Sequence, residues 1–534
     1  MSNWRINIIF ILLFLLSIAL TAKLFSLQVS KNDFYKALSQ GLLYSPNGGQ
    51  KERGEIFLKN GEPLAINKGW TMVFASPPKV KNVEETAKKL SEVLNLPEAL
   101  VLEKLKTPDT LYAPIKSKLT EEEIKSLTDL NLKEDGVYMS KKIGRYYPQE
   151  TLASQVAGFL NYQGSGQYGL EGHYEEELAE GKDLNLTMDY SIQFKAESLL
   201  EKAKEELDIK QGQIIVLEPS SGDILALANF PDFNPNKYAD YAQEDNLGVF
   251  QNGITEKIFE PGSVMKPITM AVALNEDKIM PETKYTDTGA VKIGKYTIRN
   301  YANRVWGEQT MTAVLERSIN TGAVFAEAQI GHKIFMNYVE KFGLFEKTGI
   351  DLNEIYSENS ELKKGYEVSL ANASFGQGIE MTPIQLVRAY SAIANKGVMT
   401  IPHLVKNANG KEKEVNSKEQ IILPKTASQV SAMMVSVIEK GYSKAARIPG
   451  YYVAGKSGTA QVSYSALGIN KSGYSDETIQ SFIGFAPAFS PKFLILVKLD
   501  NPKANTAEYS AMPIFRDLTQ YIINYQQIPP DYTD

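Results

Sequence analysis

The chain has no cysteine and only three histidines among its 534 residues. The lack of thiols excludes a catalytic cysteine and a cysteine-ligated metal, and it suits a chain that works outside the cytoplasm. The histidines, His173, His332 and His403, are scattered between unlike segments, and we interpret them as ordinary surface or loop residues. We therefore expect neither a metal site nor a cofactor.

The chain also lacks a surplus of basic residues. Lys and Arg together number 57 against 63 Asp and Glu, which gives a formal net charge of −6. A nucleic-acid partner is not expected from this balance. With 43% apolar and 22% charged residues the composition is that of a globular protein, and the length predicts two or three domains.

One apolar run is long enough to cross a membrane, and it lies near the N-terminus. Residues 6–29 read INIIFILLFLLSIALTAKLFSLQV, and about 20 residues are needed to span a hydrocarbon core. A cleaved signal peptide is the alternative, but a cut after Ala22 places Leu20 where a small residue is required. We favour an uncleaved anchor that follows a short tail, residues 1–5. The flanking charges leave its orientation open.

The remaining chain changes character near residue 186. Residues 30–185 are irregular, apart from Lys-rich and Glu-rich helical stretches at about 80–135, which we interpret as solvated helix faces on a small appended subdomain. From 186 onward the patterns predict, in order, a helix over 190–207, a hairpin from 213–218 and 223–228, helices across much of 263–440, strands over 451–462 and 493–498, and a final helix over 514–525. A sheet built from the two ends of a domain predicts an α+β fold with a mainly antiparallel sheet.

A serine and a lysine three residues apart can meet on one helix face, and this pattern occurs three times. Ser76 is followed by two prolines, and Ser360 lies in a charged stretch that we expect to be exposed. Ser263 alone opens an apolar segment, after the turn Glu260-Pro-Gly262, with Lys266 three residues later. A helix N-terminus stabilises negative charge on an ionising serine and on an oxyanion. Lysine can act as the base that serine needs if burial or a nearby cation keeps it neutral.

A second cation is expected from one of two Lys-Ser-Gly sequences. The copy at Lys471 lies in a loop-like stretch, whereas Lys456-Ser-Gly-Thr459 lies within a segment of strand composition. Gly455 and Gly458 flank this lysine, and glycine in a strand often marks the close approach of another backbone or of a ligand. Lys456 can hold a substrate carboxylate, and Thr459 can add a hydroxyl donor and a backbone N–H.

Ser-x-Asn is the least specific motif. It begins at Ser30, Ser45, Ser318 and Ser357, and we prefer Ser318 because it follows the helix-like stretch 311–317. Its hydroxyl can relay a proton, and the Asn320 amide can hold a peptide bond. Taken singly, each motif has a structural explanation: a helix cap, an edge strand or a turn. Together, in this order and each in a suitable element, they indicate one acyl-transfer site.

These three motifs in this order resemble the signature of penicillin-binding proteins and serine β-lactamases. The resemblance extends to residues 222–236, 252–266, 374–398 and 453–461, and it is closest to class B penicillin-binding proteins of the division type, FtsI. Upstream, Arg53-Gly-Glu-Ile56 and Arg145-Tyr-Tyr-Pro148 look like parts of the family's non-catalytic pedestal domain. Leu58-Lys59 departs from the Asp-Arg that the family usually has there, and the helical insert matches no family motif.

The resemblance implies a tail at 1–5 in the cytoplasm, a single-pass anchor at 6–29 in the inner membrane, a dimerisation-type pedestal at 30–185 and an extracytoplasmic (periplasmic) transpeptidase domain at 186–534. It further implies a D,D-transpeptidase that cross-links peptidoglycan stem peptides, joining a D-Ala-D-Ala donor to an amine acceptor, with β-lactams as inhibitors. An FtsW-type glycosyltransferase and other division proteins are the implied partners.

The same resemblance assigns roles to individual residues. Ser263 is the nucleophile, Lys266 its base, and Ser318 the proton relay to the leaving D-alanine. Asn320 positions the donor peptide, and Lys456, Ser457, Gly458 and Thr459 contact the donor, with Lys456 and Thr459 on its carboxylate. The backbone N–H groups of Ser263 and Thr459 form the oxyanion hole.

Three alternatives stay open. An elongation-type enzyme of the same class differs only in cellular role, although the Glu-Pro-Gly-Ser run and the short distances between motifs favour division. A β-lactamase needs a second base, for which Glu358 and Glu361 are candidates, but a solvated acidic stretch is the preferred interpretation of both. A non-catalytic β-lactam sensor or scaffold is disfavoured because every motif side chain is present.

Overall fold

The computed structural model describes residues 4–25, 52–107, 110–241, 244–412 and 419–532, without the side chains of residues 5–10, 22, 25 and 244–246. The chain divides into two compact units. One comprises residues 1–53, 66–146 and 162–164, and the other comprises 54–65, 147–161 and 165–534. Residues 1–3 of the predicted tail, 26–29 of the predicted anchor and 30–51 of the predicted pedestal lie outside the described residues.

The larger unit is organised around an antiparallel main sheet. In the described part of the chain its five strands lie in the spatial order Ala454–Ser463, Tyr474–Ala486, Phe493–Asp500, Gln211–Leu217 and Ile224–Phe230. Leu217 pairs with Leu494, so the two ends of the unit meet in the middle of the sheet. The α+β fold with a sheet made from both ends is thereby confirmed, as is the hairpin around residues 217–224.

Helices cover both faces of the main sheet. Along the strand Phe493–Asp500, Phe493, Ile495 and Val497 pack into one apolar core, whereas Leu494 and Leu496 pack into the other. Successive side chains of a strand point to opposite faces, and a strand buried on both faces is therefore apolar at nearly every position. One core contains the helices Tyr190–Leu207 and Ala511–Tyr525, and the other contains the helices that carry most of the candidate site.

The helices of the larger unit agree with the predictions near residues 190–207, 311–317 and 514–525. They run over Ser154–Ala157, Gly169–His173, Glu175–Ala179, Tyr190–Leu207, Lys266–Asn275, Met311–Glu316, Asn320–Ile330, His332–Lys341, Ser360–Lys363, Glu367–Ala373, Pro383–Ala394, Pro424–Glu439 and Ala511–Tyr525. Local sequence explains where several begin. Asp189 accepts from the backbone of Ser191 and Ile192, and Thr382 forms a reciprocal capping box with Gln385.

Short strands complete this unit. Leu184–Leu186 pairs in parallel with Ile56–Phe57 and antiparallel with Val405–Ala408. The other strands outside the main sheet are Phe159–Leu160, Gly166–Gln167, Lys284–Asp287, Ala290–Ile293, Tyr296–Arg299, Gly307–Thr310, Val398–Met399, Lys411–Glu412 and Glu419–Gln420. The hairpin Ala290–Ile293 with Tyr296–Arg299 leads into the segment that carries Ser318 and Asn320.

The smaller unit contains the predicted helical insert. Its helices are Val83–Leu94, Glu98–Leu105 and Glu121–Leu130, the last begun by a capping box between Thr120 and Glu123. They share an apolar core with the strands Ala113–Lys116 and Val137–Tyr146, which pair with residues 66–75 of the strand Pro63–Ala75. These helices confirm the helical structure predicted from the periodicity of this segment. The strand Ala113–Lys116 was not predicted.

A further helix runs over Trp4–Phe25, within the stretch for which we predict an anchor. Counted over the described residues, no helix is both long enough and apolar enough to cross a membrane.

One of the three histidines is not the surface residue that we expected from the sequence. His173 and His332 are exposed, as expected, but His403 is only 6% exposed. Its Nε2 lies 3.0 Å from Asp223 Oδ1, and residues 223 and 403 form a parallel bridge beside the main sheet. His403 is therefore a buried structural residue, because a carboxylate partner compensates for the loss of its hydration.

Candidate active site

Ser263 lies in a tight turn that leads directly into a buried helix. Gly262–Met265 form one 3₁₀ turn, and the helix Lys266–Asn275 follows with Lys266 as its first residue. We predicted an α-helical face shared by Ser263 and Lys266. The observed turn is tighter, and with three residues per turn it stacks positions i and i+3. Pro267 occupies the second helical position, where the missing N–H removes no helical hydrogen bond.

Glycine lets the strand Ala454–Ser463 lie against this turn. A Cβ atom at Gly458 would lie 3.0 Å from the Pro261 carbonyl oxygen and 2.7 Å from Ser481 Oγ, so no larger residue fits. Gly262 adopts a φ of +62°, a conformation that glycine reaches without strain. The predicted close approach is confirmed at Gly458. At Gly455 the close neighbour is instead the ring of Phe482.

The Lys266 ammonium group is fully buried and directed to the segment that carries Ser318. Lys266 Nζ lies within hydrogen-bond distance of three oxygens: the Ser318 carbonyl oxygen at 2.7 Å, Ser318 Oγ at 3.1 Å and Asn320 Oδ1 at 2.8 Å. The described part of the chain contains no hydrogen bond between Lys266 Nζ and Ser263 Oγ. Ser263 itself is half-buried, so part of its surface faces solvent. Catalytic hydrogen bonds often tighten only when substrate is bound.

Lys456, on the main sheet, also contacts Ser318. Its Nζ donates to Ser318 Oγ at 3.1 Å and to the Ser457 carbonyl oxygen at 2.9 Å, and the residue is 1% exposed. The Ser318 hydroxyl therefore contacts both lysines. Three segments that are far apart in the sequence meet at one hydroxyl group, and the fold brings together the predicted Lys266, Ser318, Asn320 and Lys456.

The two lysines do not favour the same charge state. Burial lowers the pKa of Lys266 well below its ordinary value, and the neighbouring Lys456 ammonium lowers it further. Burial also lowers the pKa of Lys456, to about 8, but the Glu508 carboxylate opposes this shift. A buried ammonium group without a carboxylate nearby is costly. Lys266 is therefore suited to be a neutral base, and Lys456 to be the cation beside it.

A buried carboxylate that sequence reasoning missed holds the Ser318–Asn320 segment. Asp287 accepts from Thr321 Oγ1 at 2.6 Å, from Asn300 Nδ2 at 3.0 Å and from the Trp306 backbone at 2.8 Å. Ser318 itself has a positive φ of +53°, which is uncommon for a residue with a side chain. The hydrogen bonds of Asp287 fix the residue that follows Asn320 and so help to hold this conformation. No sequence signal marks Asp287, because aspartate is common in ordinary turns.

The strand Ala454–Ser463 lies at the edge of the main sheet. An edge strand keeps a row of backbone groups free of sheet partners. Two hydroxyl groups here contact the short 3₁₀ turn Ala507–Tyr509: Thr459 Oγ1 accepts from the Ala507 backbone at 3.2 Å, and Ser457 Oγ donates to Glu508 Oε1 at 2.7 Å. Glu508 was not predicted from the sequence, and nothing in its spacing identifies it.

The alternative motif copies lie elsewhere. Ser360 and Lys363 are exposed on the short helix Ser360–Lys363, as predicted, and Lys471 is exposed in a loop, where it contacts Tyr464. Ser357 donates to Glu380 rather than to a lysine. Ser30 and Ser45 lie outside the described residues.

The family of the chain follows from comparison with known proteins. The family model described as the penicillin-binding protein transpeptidase domain matches residues 212–520, and that of the penicillin-binding protein dimerisation domain matches residues 50–183. The chain belongs to the penicillin-binding protein transpeptidase family. The dimerisation domain ahead of the transpeptidase domain makes it a class B member, which confirms the predicted class.

Individual relatives agree with this assignment. The chain is 32% identical over 494 residues to stage V sporulation protein D of Bacillus subtilis, and the alignment covers 85% of this chain and 75% of that protein. It is 30% identical over 568 residues to the probable peptidoglycan D,D-transpeptidase PbpC of Pseudomonas aeruginosa, which covers 99% and 96%. The structure of penicillin-binding protein 3 from Mycobacterium tuberculosis with aztreonam has a TM-score of 0.71 at 24% identity, over 90% of this chain and 98% of that one, and shows the shared fold.

Proposed function

We propose that the chain is a peptidoglycan D,D-transpeptidase that cross-links stem peptides through an acyl-enzyme on Ser263. One observation supports this most directly: Ser318 Oγ lies 3.1 Å from both Lys266 Nζ and Lys456 Nζ, and Lys266 directly follows the turn that carries Ser263. A hydroxyl between a neutral amine and an ammonium group can pass protons in either direction. The names of the relatives and the two matched domains are consistent with this chemistry.

In the proposed acylation step, neutral Lys266 accepts the Ser263 proton while Ser263 Oγ forms a bond to the penultimate D-alanine carbonyl carbon. The oxyanion receives hydrogen bonds from the backbone N–H groups of Ser263 and Thr459, and removing one such donor typically slows a reaction by roughly a hundred- to a thousandfold. When the C–N bond breaks, Ser318 gives its proton to the leaving D-alanine nitrogen and takes one from Lys266.

Deacylation runs the same path in reverse. The acceptor amine attacks the acyl carbon, its surplus proton passes through Ser318 to Lys266, and Lys266 returns a proton to Ser263 Oγ as the ester bond breaks. Asn320 holds the donor peptide bond, and Lys456, Ser457, Gly458 and Thr459 contact the donor. The Lys456 ammonium and the Thr459 hydroxyl bind its carboxylate. A β-lactam acylates Ser263 by the same steps. Its amine stays attached to the acyl group when the C–N bond breaks, so no leaving group departs and the acyl-enzyme persists.

Reaction with a β-lactam tests the proposal. We expect fluorescent penicillin to label the chain at about one molecule per chain and to remain bound, with a nitrocefin burst of the same size and little turnover. Steady nitrocefin turnover would identify a β-lactamase instead, although Glu358 and Glu361, the candidate second bases, are exposed. An unlabelled, folded chain would indicate a non-catalytic scaffold.

We further propose that the enzyme acts in septal wall synthesis, held in the inner membrane by residues 6–29. The pedestal then comprises residues 30–185 and the extracytoplasmic transpeptidase domain comprises 186–534, as the two family matches suggest. The helix Trp4–Phe25 supports the anchor because its described Leu and Ile side chains are exposed. An FtsW-type glycosyltransferase is the proposed partner of the anchor and pedestal.

A depletion strain tests the cellular role and the anchor together. Cells that lose the protein are expected to grow as filaments, and the full chain should restore division and pellet with membranes. A chain that lacks residues 6–29 but is still exported should label with penicillin without restoring division. Spherical cells on depletion would assign an elongation role, and a mature N-terminus near residue 22 would show that the helix is a cleaved signal.

A further inference from the structure

Glu508 places a carboxylate against the edge of the candidate site. It lies on the 3₁₀ turn Ala507–Tyr509 and accepts a hydrogen bond from Ser457 Oγ at 2.7 Å. Ser457 is 8% exposed and Glu508 is half-buried, so this contact is partly shielded from water. In the described part of the chain Glu508 forms no ion pair, and its charge is therefore not neutralised by direct contact with a cation.

The contact makes the two hydroxyl groups of this edge unequal. The Thr459 oxygen already accepts from the Ala507 backbone, so its own O–H is left to donate toward a ligand. Ser457 has one hydroxyl proton, and that proton is directed to Glu508. A ligand carboxylate at this edge thus meets one available hydroxyl donor, one hydroxyl that is already engaged, and a nearby negative charge.

Like charges in a partly buried site repel more strongly than in water. At an effective dielectric constant of about 20, the repulsion between two unit charges is roughly four times its value in bulk water. The Lys456 ammonium attracts the ligand carboxylate, whereas the Glu508 carboxylate repels it. The balance between these two charges sets how strongly the edge binds an anion.

We propose that Glu508 is a specificity-determining residue, whose charge weakens the recognition of acyl donors that carry a carboxylate at this edge, β-lactams included. The inference rests on the proposed function, because it takes the Lys456–Thr459 strand as the part that reads the donor carboxylate. Glu508, which lies outside the three motifs, then makes the site bind a donor carboxylate less strongly.

Glu508 also acts on Lys456, and the experiment must separate the two effects. The Glu508 carboxylate favours the protonated form of Lys456, whose pKa is about 8. Removing the carboxylate therefore lowers this pKa, and above pH 7 it would reduce the positive charge that attracts a ligand carboxylate. The rates are therefore compared at about pH 6.5, below this pKa, where the protonated form of Lys456 is favoured. A loss of charge on Lys456 would lower the rate for a ligand that carries a carboxylate, which is opposite to the rise expected from removing the repulsion.

The test measures how fast benzylpenicillin and its methyl ester acylate the Glu508→Gln variant and the wild-type protein. Glutamine keeps an oxygen that can accept from Ser457 and removes only the charge. At about pH 6.5 and low salt, we expect the second-order acylation rate for benzylpenicillin to rise about tenfold, with little change for the uncharged ester. Glu340→Gln, which removes the same charge from the exposed end of the helix His332–Lys341, should change neither rate.

Each other result has a definite meaning. An unchanged or lower ratio of acid to ester rates in Glu508→Gln overturns the proposal, and so does an equal rise for both compounds. Glu508→Ala should raise the acid rate at least as much as Glu508→Gln, and a fall for both compounds would show that the contact with Ser457 is only structural. If wild-type protein is not acylated at all, the proposed function fails rather than this inference.

Discussion

Ser263→Ala is expected to abolish covalent labelling by penicillin while leaving the fold intact. No other residue of the turn Gly262–Met265 carries a nucleophilic side chain, and loss of the nucleophile in serine enzymes costs roughly a millionfold in rate. Ser263 is half-buried, and removing one oxygen there should change the free energy of unfolding by less than about 1 kcal/mol. Gel fluorescence and intact-protein mass after penicillin treatment measure the effect.

The chain supplies a matched control for this variant. Ser360 stands three residues before Lys363, as Ser263 stands before Lys266, but it is exposed on a short surface helix. Ser360→Ala should label like the wild type. Label that persists in a folded Ser263→Ala protein would refute the assignment, and peptide mapping would then locate the true nucleophile.

Lys266→Met is expected to slow acylation by about a hundredfold to ten-thousandfold, the usual contribution of a general base. Methionine has a similar length and no charge, so it fills the buried space of a lysine whose pKa burial has lowered. Loss of the Lys266 amine removes a hydrogen-bond partner of the Ser318 carbonyl oxygen and of Asn320 Oδ1, which should reduce the free energy of unfolding by about 1–3 kcal/mol. Stopped-flow acylation and thermal melting measure the two effects separately.

Lys471→Met provides the corresponding control, because Lys471 opens the second Lys-Ser-Gly sequence and is exposed in a loop. It should acylate at the wild-type rate. Lys266→Ala is expected to acylate slowly as well, although the larger cavity makes it a less stable protein. A near-normal rate in a folded Lys266→Met protein would remove Lys266 as the base and leave Lys456 to be tested in its place.

The elements with strong periodicity were predictable. The helix Tyr190–Leu207 has the predicted bounds, since its apolar spacing and the Asp189 cap act locally. The hairpin strands Gln211–Leu217 and Ile224–Phe230 were predicted because both are apolar and flank a turn. The strand Tyr474–Ala486 was not predicted from the sequence. Its N-terminal half is polar, and only its two neighbours in the sheet determine its conformation.

The candidate site was predictable to the extent that its residues occur in motifs. Lys266, Ser318, Asn320 and Lys456 meet as proposed, because residue type, spacing and element could each be checked in the sequence. Asp287 and Glu508 act through contacts made only in the folded chain, and no spacing rule connects either residue to the motif that it supports. The same limit explains His403, whose burial follows from a contact with Asp223.

The order of strands in the main sheet has a consequence for how the protein is made. Gln211–Leu217 lies beside Phe493–Asp500, so the third strand of the sheet is synthesised long after the strand with which it pairs. Until then the hairpin formed by residues 211–230 exposes an unpaired apolar edge, a state prone to aggregation. Pairing across so long a stretch of chain is also slow, because loop closure precedes the gain in contacts. An early arrest of synthesis would thus leave a fragment that needs a chaperone.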